Sequence, residues 1–319
     1  MRLNFEEIKS ITVGAVDIQQ QPDGIHFFKC TPSQIASWEA ISPNFATGAQ
    51  VTTGVRLDFH TTSSFVRVGV ASGHKYEIKV DGLLACQFLA ENDIAPTELY
   101  AELGVSGAWK HVVVVMPSHS IGVVRFVELE DSAQVKAHAF DRKILFLGDS
   151  ITQGWDAKFD SNSFAYWVSD FLNADSVIHG VGGSHFQPLT VQENGFDPDL
   201  VFVAYGTNHF GCGKPLNVLT EDMTVYVRKV QSLYPKAQVV VISPTFRQDY
   251  TEKVKYGTFE ECCDCVKQTA KALGLACIDG GKILPKTDEF FADLIHPNDL
   301  GFAVYALNLL RELKALGIS

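Results

Sequence analysis

The sequence predicts an α/β protein: a doubly wound parallel sheet with helices on both faces, preceded by an all-β sandwich or jelly-roll domain. From about Arg142, short apolar runs alternate with amphipathic helical segments, and strands joined by helices form parallel sheets. Before about residue 135, short valine-rich runs are separated by turns and show little helical periodicity, which is typical of antiparallel sandwiches. We therefore predict a β-sandwich domain over residues 1–138 and an α/β domain over residues 139–319.

Of the strands predicted in the first domain, the first three alternate, in part or clearly, between apolar and polar residues, and the last two are rich in valine. In chain order, the strands are Val51 to Phe59, Ser64 to Val70, Lys75 to Val80, His111 to Met116 and Ile121 to Leu129. Asp81-Gly82 follows the third of these runs, and this dipeptide favours a two-residue hairpin turn. These features indicate strands paired through hairpins.

The second domain alternates buried strands with amphipathic helices. The predicted strands are Lys143 to Leu147, Ser176 to His179, Leu200 to Tyr205, Gln238 to Ile242 and Leu275 to Ile278. The predicted helices are Val218 to Leu233, Thr258 to Leu273 and Asp299 to Leu316. In sheets of this kind, ligands bind beyond the carboxyl ends of the strands.

Composition narrows the class of ligand. A chain of 319 residues with 46% apolar residues can bury a large core. The formal charge of -11 and the absence of a Lys/Arg cluster argue against nucleic acid or an anionic membrane as a partner, because both are bound mainly through basic patches. A small molecule is the expected partner, and the sequence does not predict an oligomeric state.

The N-terminal residues Met1 to Lys9 contain acidic residues where a signal peptide has its apolar segment. No later run approaches the roughly 20 apolar residues of a membrane span. We therefore expect a cytoplasmic protein.

The chain has seven cysteines, an odd number that does not indicate a disulfide framework. Cys262, Cys263 and Cys265 are close enough in sequence to suggest a metal site, but no second pair of cysteines or histidines follows at zinc-finger spacing. Apolar residues recur at three- and four-residue steps through this segment, which favours packing of a helix. We expect reduced thiols and neither a metal nor a cofactor.

Polar residues that could carry chemistry stand directly after the predicted strands. Gly148-Asp149-Ser150 ends the first strand and places a serine behind a turn-permitting glycine. Gly180-Val181-Gly182-Gly183 follows the second strand, and its backbone can approach a ligand and offer N–H groups to negative charge. Gly206-Thr207-Asn208 follows the third strand, and Asp293 and His296 precede the last helix.

In this order, the motifs resemble those of the SGNH, or GDSL, hydrolase family over about residues 142–317. The resemblance implies a flavodoxin-like three-layer fold and a catalytic triad of Ser150 as nucleophile, His296 as general base and Asp293 as the carboxylate that orients the imidazole. It also implies that the Ser150 N–H, the Gly183 N–H and the Asn208 side chain donate hydrogen bonds to the oxyanion. Choosing Gly183 over Gly180 or Gly182 depends on the alignment.

The chain departs from the family pattern after Asn208, where the family often has aspartate and this sequence has His209. His209 is a candidate for the substrate pocket or for a second proton carrier, and the alternative is a partly exposed loop residue. His179 and His185 flank the glycine loop, and His185 is a second pocket candidate.

The first 130 residues resemble, more weakly, the β-sandwich module of some carbohydrate esterases, through Val55 to Phe59 and Val80-Asp81-Gly82. This resemblance implies an acetyl ester on a sugar as substrate. Trp38, Tyr76 and Trp109 could line a sugar site or pack in the core.

We therefore expect a serine esterase that acts on small acyl esters through an acyl-enzyme. An acyltransferase that uses the same serine is the nearest alternative, and a metal-dependent phosphatase and a non-catalytic carbohydrate-binding protein are two others. Acyl chain length depends on loops such as Thr245 to Tyr256, whose course the sequence does not predict.

Overall fold

The computed structural model describes residues 1–90, 97–249 and 257–318. Residue contacts divide the chain into two compact units. The β-rich unit comprises Met1–Thr31, Gln50–Phe140 and Phe159–Ser161, and the α/β unit comprises Pro32–Ala49, Asp141–Lys158 and Asn162–Ser319. The domain boundary at residue 138 stays a prediction. Within the described ranges, no helix is both long and apolar enough to span a bilayer.

Among the described residues, the β-rich unit contains one short helix and eleven strands. They are α1 Phe5–Ser10, β1 Thr12–Val13, β2 Asp17–Gln21, β3 Gly24–Phe28, β4 Arg56–Thr61, β5 Phe65–Ser72, β6 Lys75–Val80, β7 Leu83–Leu89, β8 Thr97–Glu102, β9 Lys110–Val115, β10 Val123–Leu129 and β11 Val135–Ala137. One antiparallel sheet has the order β1-β4-β9-β6-β7, with β11 also paired to β4, and the other has the order β2-β3-β10-β5-β8. The predicted antiparallel sandwich is confirmed.

The two sheets share one apolar core. Leu57 and Val112 contribute to it from the first sheet, and Val66, Val124 and Phe27 from the second, all of them fully buried. Side chains alternate between the two faces of a strand. Leu57 and Phe59 of β4 face the core, so Asp58 and His60 project from the opposite face of the first sheet. That face carries several histidines.

The hairpin predicted at Asp81-Gly82 is present between β6 and β7. Asp81 has φ 49° and Gly82 has φ 80°, and two consecutive positive φ values are those of the two-residue turn whose twist matches paired strands. Lys75–Val80 is a strand over the predicted range. The strand predicted from Val51 begins only at Arg56, because Gly54 takes φ 76° and interrupts the extended backbone.

The described part of the first 135 residues also contains three helices that the sequence did not predict. Helix α1 begins with a capping box between Asn4 and Glu7, a local signal that hydrophobic periodicity does not register. Two further helices in this range, α2 Pro32–Ile41 and α3 Pro43–Gln50, lie almost wholly in the α/β unit. Both begin at a proline, which is favoured in the first turn of a helix.

The remaining elements belong to the α/β unit. They are β12 Arg142–Gly148, α4 Ser150–Gln153, α5 Phe164–Phe171, β13 Ala174–Gly180, β14 Leu200–Ala204, α6 Thr207–Gly211, α7 Leu216–Leu233, β15 Gln238–Ile242, α8 Phe259–Ala272, β16 Ala276–Ile278, α9 Gly280–Ile283 and α10 Asp299–Ala315. All five predicted strands and all three predicted helices of this domain are present, with bounds that differ by at most two residues.

The strands of this unit form one parallel sheet in the order β13-β12-β14-β15-β16, which is the doubly wound order of flavodoxin-like folds. On one face Phe146 packs with Phe164 and Phe302 of helices α5 and α10. Leu145 and Val201 project to the other face and are equally buried, as are the inner residues of α7 and α8. The predicted parallel sheet with helices on both faces is confirmed.

Strand order reverses beside β12. The chain crosses from β12 to β13 on one side and then to β14 on the other, so the carboxyl ends of β12 and β14 are neighbours, with Gly148 paired to Ala204. Loops diverge at such a point and leave room for a ligand. The residues directly after these two strands are therefore the first candidates for a site.

Candidate active site

Ser150 lies at the carboxyl end of β12, as the first residue of the short helix α4. Gly148 makes this turn feasible, because a Cβ atom at that position would lie 2.0 Å from the Thr152 Oγ1 atom. Asp149 caps the helix by accepting a hydrogen bond from the Ile151 N–H at 3.0 Å. The strand and the cap together fix the serine at the edge of the sheet.

His296 lies in hydrogen-bond contact with this serine, and Asp293 lies in hydrogen-bond contact with His296. The Ser150 Oγ is 2.9 Å from the His296 Nε2, and the His296 Nδ1 is 2.7 Å from an Asp293 carboxylate oxygen. An ionised carboxylate only accepts hydrogen bonds, so the proton of the neutral imidazole is on Nδ1 and Nε2 accepts from the serine. The structure thus brings together the three residues that the sequence predicts as a triad.

Asp293 also shapes the turn that carries the histidine. Its other carboxylate oxygen accepts from the backbone N–H groups of Ile295 and His296, both at 2.6 Å. Partial burial raises the pKa of Asp293, but the hydrogen bonds from His296 and Ile295 outweigh it and place the pKa below the ordinary value of 3.8. The carboxylate is therefore ionised at neutral pH.

A second carboxylate, that of Asp156, also faces the His296 Nδ1, at 3.5 Å. Asp156 follows helix α4 and takes φ 69°, and Trp155 beside it lies with its ring centroid 6.1 Å from that of His296. Sequence reasoning missed both residues. They are about 140 positions from His296 in the sequence, and neither belongs to a motif.

Asp156, Asp293 and His296 bring one potential ligand atom each within 4.8 Å of one another. Geometrically this group could hold a cation. The Nδ1 of His296 is already hydrogen-bonded to Asp293 at 2.7 Å, however, and a metal ion would have to displace that proton. The arrangement therefore fits proton transfer better than metal binding.

Three glycines follow β13 or end it, and the structure gives each a different environment. A Cβ atom on Gly180 would lie 2.4 Å from the Gln153 backbone nitrogen, so this glycine permits close packing against α4. The Gly182 N–H donates to the Gln153 side-chain oxygen at 2.9 Å. Gly183 is exposed, takes φ 76° and has no acceptor for its N–H among the described residues.

Helix α3 lies beside this glycine loop. A Cβ atom on Gly183 would lie 3.5 Å from the Phe45 ring, and one on Gly48 would lie 3.2 Å from the Val181 side chain. Trp38 of α2 is buried and packs edge-to-face on Phe45 at 5.7 Å. Phe45 is thus a second aromatic residue near the site that sequence reasoning missed, because the segment lies far upstream of the motifs.

Asn208 follows β14 as part of helix α6. Its amide nitrogen donates to the Ser184 carbonyl at 2.9 Å, which connects helix α6 to the segment that follows Gly183. An amide carries two N–H bonds, so the second can donate to a ligand.

His185 follows the glycine loop, His209 follows Asn208 in helix α6, and their rings pack edge-to-face at 4.9 Å. Both are buried, with His209 only 1% exposed, so the alternative of a partly exposed loop residue is wrong. Burial lowers the pKa of His185 to about 4, helped by the positive charge of Lys214, and burial and His185 lower the pKa of His209 to about 3. Both imidazoles are neutral at pH 7, and a role in the substrate pocket stays a prediction.

The cysteines of helix α8 do not form part of this site. Cys262 is buried with its thiol 3.5 Å from the Gly206 carbonyl, while Cys263 and Cys265 are half-buried free thiols. Burial raises the pKa of Cys262 and of Cys263 to about 12. Of the loop Thr245 to Tyr256, residues 250–256 lie outside the described residues.

Solved structures with similar folds match the whole chain. The "Salicylyl-Acyltransferase SsfX3 from a Tetracycline Biosynthetic Pathway" has a TM-score of 0.88 at 19% identity, covering 100% of this chain and 98% of that one. A family two carbohydrate esterase from Clostridium thermocellum has a TM-score of 0.71 at 16% identity, covering 97% and 100%. The acetyl xylan esterase Est2A from Butyrivibrio proteoclasticus has a TM-score of 0.67 at 13% identity, covering 100% of both chains.

At these identities the similarity shows a shared fold. No curated protein sequence matches this chain. A family model, described as "GDSL-like Lipase/Acylhydrolase family", matches residues 146–304, the range that contains all the residues predicted for the triad and the oxyanion donors. The chain therefore carries a domain of the GDSL-like lipase/acylhydrolase family.

Proposed function

We propose that this protein is a serine esterase that hydrolyses small acyl esters through an acyl-enzyme on Ser150, with an acetyl ester on a carbohydrate as the favoured substrate. One observation carries the proposal: the unbroken hydrogen-bonded chain from the Ser150 Oγ through both nitrogens of His296 to Asp293, with distances of 2.9 Å and 2.7 Å. A serine with a base and an orienting carboxylate in this geometry is the arrangement that activates hydroxyl nucleophiles.

In the first half-reaction, the Ser150 Oγ attacks the ester carbonyl carbon while its proton passes to the His296 Nε2. The histidine becomes a cation whose charge the Asp293 carboxylate stabilises through Nδ1–H. The C–O bond to the leaving alcohol then breaks, and His296 returns its proton to that oxygen. The acyl group remains on Ser150.

In the second half-reaction, a water molecule takes the place of the alcohol. His296 accepts a proton from the water as its oxygen attacks the acyl carbon, and then returns the proton to the Ser150 Oγ when the bond to serine breaks. The acid is released and the serine is regenerated. The histidine is thus the only proton carrier that either half-reaction requires.

The negative charge on the tetrahedral intermediate needs donors that are fixed before the reaction. We assign this role to the N–H groups of Ser150 and Gly183 and to the Asn208 side chain. The exposed Gly183 N–H, with no acceptor among the described residues, supports its choice over Gly182, whose N–H already donates to Gln153.

Two observations support the substrate class. Carbohydrate esterases share this fold over nearly the whole chain. Trp155, 43% exposed, lies beside the His296 ring, where an aromatic face can contact the alcohol part of the substrate.

Acyl transfer is a second candidate, favoured by the acyltransferase whose fold matches with a TM-score of 0.88 over the whole chain. The two activities share the acyl-enzyme and differ in whether water or a bound alcohol attacks it. Incubation with p-nitrophenyl acetate and an acetyl-accepting sugar, followed by product analysis, separates them: free acetate as the main product supports hydrolysis, and acetylated sugar supports transfer.

The proposal is tested by hydrolysis of p-nitrophenyl acetate, butyrate and octanoate by the wild-type protein and by Ser150→Ala. The matched control is Ser169→Ala, since Ser169 is also buried in the same unit and its hydroxyl donates to the Ala165 carbonyl within helix α5. We expect activity highest on acetate, lost in Ser150→Ala, retained in the control, and accompanied by a trapped acyl group on Ser150 by mass spectrometry. Equal activity in Ser150→Ala and the wild type would refute the assignment.

A further inference from the structure

The β-rich unit contains a cluster of three histidines that the esterase site does not use. His60 on β4, His111 on β9 and His138 just after β11 bring one ring nitrogen each within 4.8 Å of the other two. Their rings are stacked, with centroids 4.5 to 5.2 Å apart. Among the described residues, this is one of two groups of potential metal ligands at such short range, and the other contains His296.

Strand pairing places these histidines on one surface. His60 and His111 are directly opposite each other in the register of β4 and β9. The His138 N–H donates to the Asp58 carbonyl at 3.2 Å, which continues the pairing of β11 with β4. Since Leu57 and Phe59 face the sandwich core, Asp58 and His60 project from the opposite face.

The hydrogen bonds of the cluster suit metal binding. Asp58 accepts from the His111 Nε2 at 2.6 Å, so the Nδ1 of a neutral His111 carries a lone pair rather than a proton. The His60 Nε2 lies 3.0 Å from the His138 Nδ1, so one of these two nitrogens presents a lone pair to the other, and an ion between the rings would replace the shared proton. A carboxylate that holds the far nitrogen of a histidine is the usual support of a metal-bound imidazole.

The three histidines are exposed enough for an ion to reach them from solvent. All three histidines are half-buried, while Asp58 behind them is 5% exposed and is also held by the Arg56 guanidinium at 3.0 Å. Tetrahedral zinc with Zn–N bonds of 2.0–2.1 Å needs nitrogens about 3.4 Å apart, so a contraction of at most about 1.4 Å from the present spacing would close the site. The rings are nearly parallel, with interplanar angles of 16° to 20°, so binding requires them to rotate until their in-plane lone pairs converge on the ion.

We propose that His60, His111 and His138 bind a divalent transition-metal ion of the zinc class on the face of this sheet opposite the sandwich core. Three imidazoles are a ligand set that suits Zn²⁺, Co²⁺, Ni²⁺ and Cu²⁺, whereas Mg²⁺ and Ca²⁺ prefer oxygen. The ion would connect strands β4, β9 and β11. The positive charges of the neighbouring Arg56 and Lys136 side chains disfavour binding of a cation here. Lys136 is stacked over the Trp109 ring, with its Nζ 4.6 Å from the ring centroid.

The test is titration of the chelator-treated full-length protein with Zn²⁺ and, for spectroscopy, Co²⁺. We expect one equivalent bound by the wild type, at least tenfold weaker binding in His111→Gln and in His138→Gln, and a 10- to 100-fold loss in Asp58→Asn. The matched control is His26→Gln, because His26 lies in the same unit and also contacts a carboxylate, Asp23 at 2.9 Å, but is not part of the cluster.

The free thiols require a second readout. Cobalt bound to three imidazoles gives a spectrum without the thiolate-to-metal charge-transfer band that cysteine ligation produces. Zn²⁺ is also expected to raise the thermal unfolding midpoint of the wild type and of His26→Gln by mass action, and not that of His138→Gln.

His138 follows a short strand and is the variant least expected to disturb folding, which circular dichroism without metal would check. Binding that is unchanged in both cluster variants, or a thiolate spectrum, would overturn the proposal.

Discussion

The α/β unit contains histidines in two contrasting settings, the His296 turn and the His185–His209 pair. The ring of His296 is held at both nitrogens, by Ser150 at 2.9 Å and by Asp293 at 2.7 Å. The other two rings pack on each other, with neither His209 nitrogen hydrogen-bonded within the described residues. Burial lowers the pKa of His185 to about 4 and, with His185, that of His209 to about 3.

These settings correspond to two uses of one side chain. A histidine placed between a hydroxyl and a carboxylate has a fixed tautomer and a partner for each charge state, so it can accept and return a proton. A histidine buried beside a second histidine is kept neutral and behaves as an aromatic ring. The carboxylate at Nδ1 is therefore the feature that distinguishes a base from a packing residue here.

The largest expected effect that sharpens this comparison is that of removing the His296 imidazole. His296→Ala should lower kcat on p-nitrophenyl acetate by about 10⁴-fold or more, because the proton of Ser150 then has no acceptor. His209→Phe, which keeps an aromatic ring in the buried position, should lower it by less than about tenfold, since a neutral ring that transfers no proton is not part of the barrier.

Added imidazole provides the control for this pair. It should restore part of the activity of His296→Ala, because a free base can enter the vacated position, and should leave His209→Phe unchanged. A comparable loss of activity in both variants would break the distinction and make His209 a proton carrier.

The next largest expected effect is a difference in kcat between variants of the two carboxylates that face the His296 Nδ1. Asp293 is at 2.7 Å and Asp156 at 3.5 Å. Asp293→Asn preserves an acceptor for the turn but favours the wrong imidazole tautomer, and should lower kcat by about 10² to 10⁴. Asp156→Asn should lower it by less than about tenfold, since hydrogen bonds at the longer distance are weak. Steady-state kinetics of both single variants and of the double variant measure how much each carboxylate contributes to kcat.

A larger loss in Asp156→Asn than in Asp293→Asn would reverse the roles of the two carboxylates. Near-complete activity in each single variant with loss in the double variant would show that either carboxylate can hold the proton. The distance of 3.5 Å for Asp156, against 2.7 Å for Asp293, leads us to expect neither result.

A smaller effect is expected at the oxyanion donors. Asn208→Ala should lower kcat by about 10²- to 10³-fold with little change in KM, because this donor acts on charge that develops only in the transition state. The amide also donates to Ser184, and the comparison variant Asn208→Asp retains the size of the side chain but removes both N–H donors. An increase in KM at unchanged kcat would assign Asn208 to substrate binding instead.

The sequence predicted the α/β unit closely because its signals are local and repeated. Each apolar run is long enough to identify a strand, and polar residues at strand ends meet because parallel strands share one edge. Ser150 could be located in this way, whereas the roles of Asp293 and His296, which precede the last helix, were implied by the resemblance to the SGNH hydrolase family.

Phe45, Trp155 and Asp156 could not be predicted from the sequence. Their position at the site depends on how helices α3 and α4 pack, which periodicity does not encode. The histidine cluster could not be predicted either, because the sequence pattern does not encode which residues of two strands lie opposite each other. His60 and His111 are far apart in the sequence and become neighbours only through the register of β4 and β9.

The smallest expected effect is on stability and depends on whether burial keeps His209 neutral. A histidine with a pKa of about 3 in the folded protein and about 6.5 when unfolded binds a proton on unfolding. Lowering the pH from 7 to 5 therefore favours the unfolded state, by about 2 kcal/mol for this residue. His209→Phe has no such proton to bind.

Urea unfolding of the wild type and of His209→Phe at pH 7 and pH 5 measures this difference, and comparing the two proteins cancels the contributions of other titrating groups. The stability of the wild type relative to the variant should fall by about 2 kcal/mol over that range. Asp222 lies 3.6 Å from the His209 Nε2, and its negative charge would favour a protonated His209. If that carboxylate held His209 protonated, the folded pKa would exceed the unfolded one, and the wild type would instead gain relative stability as the pH falls.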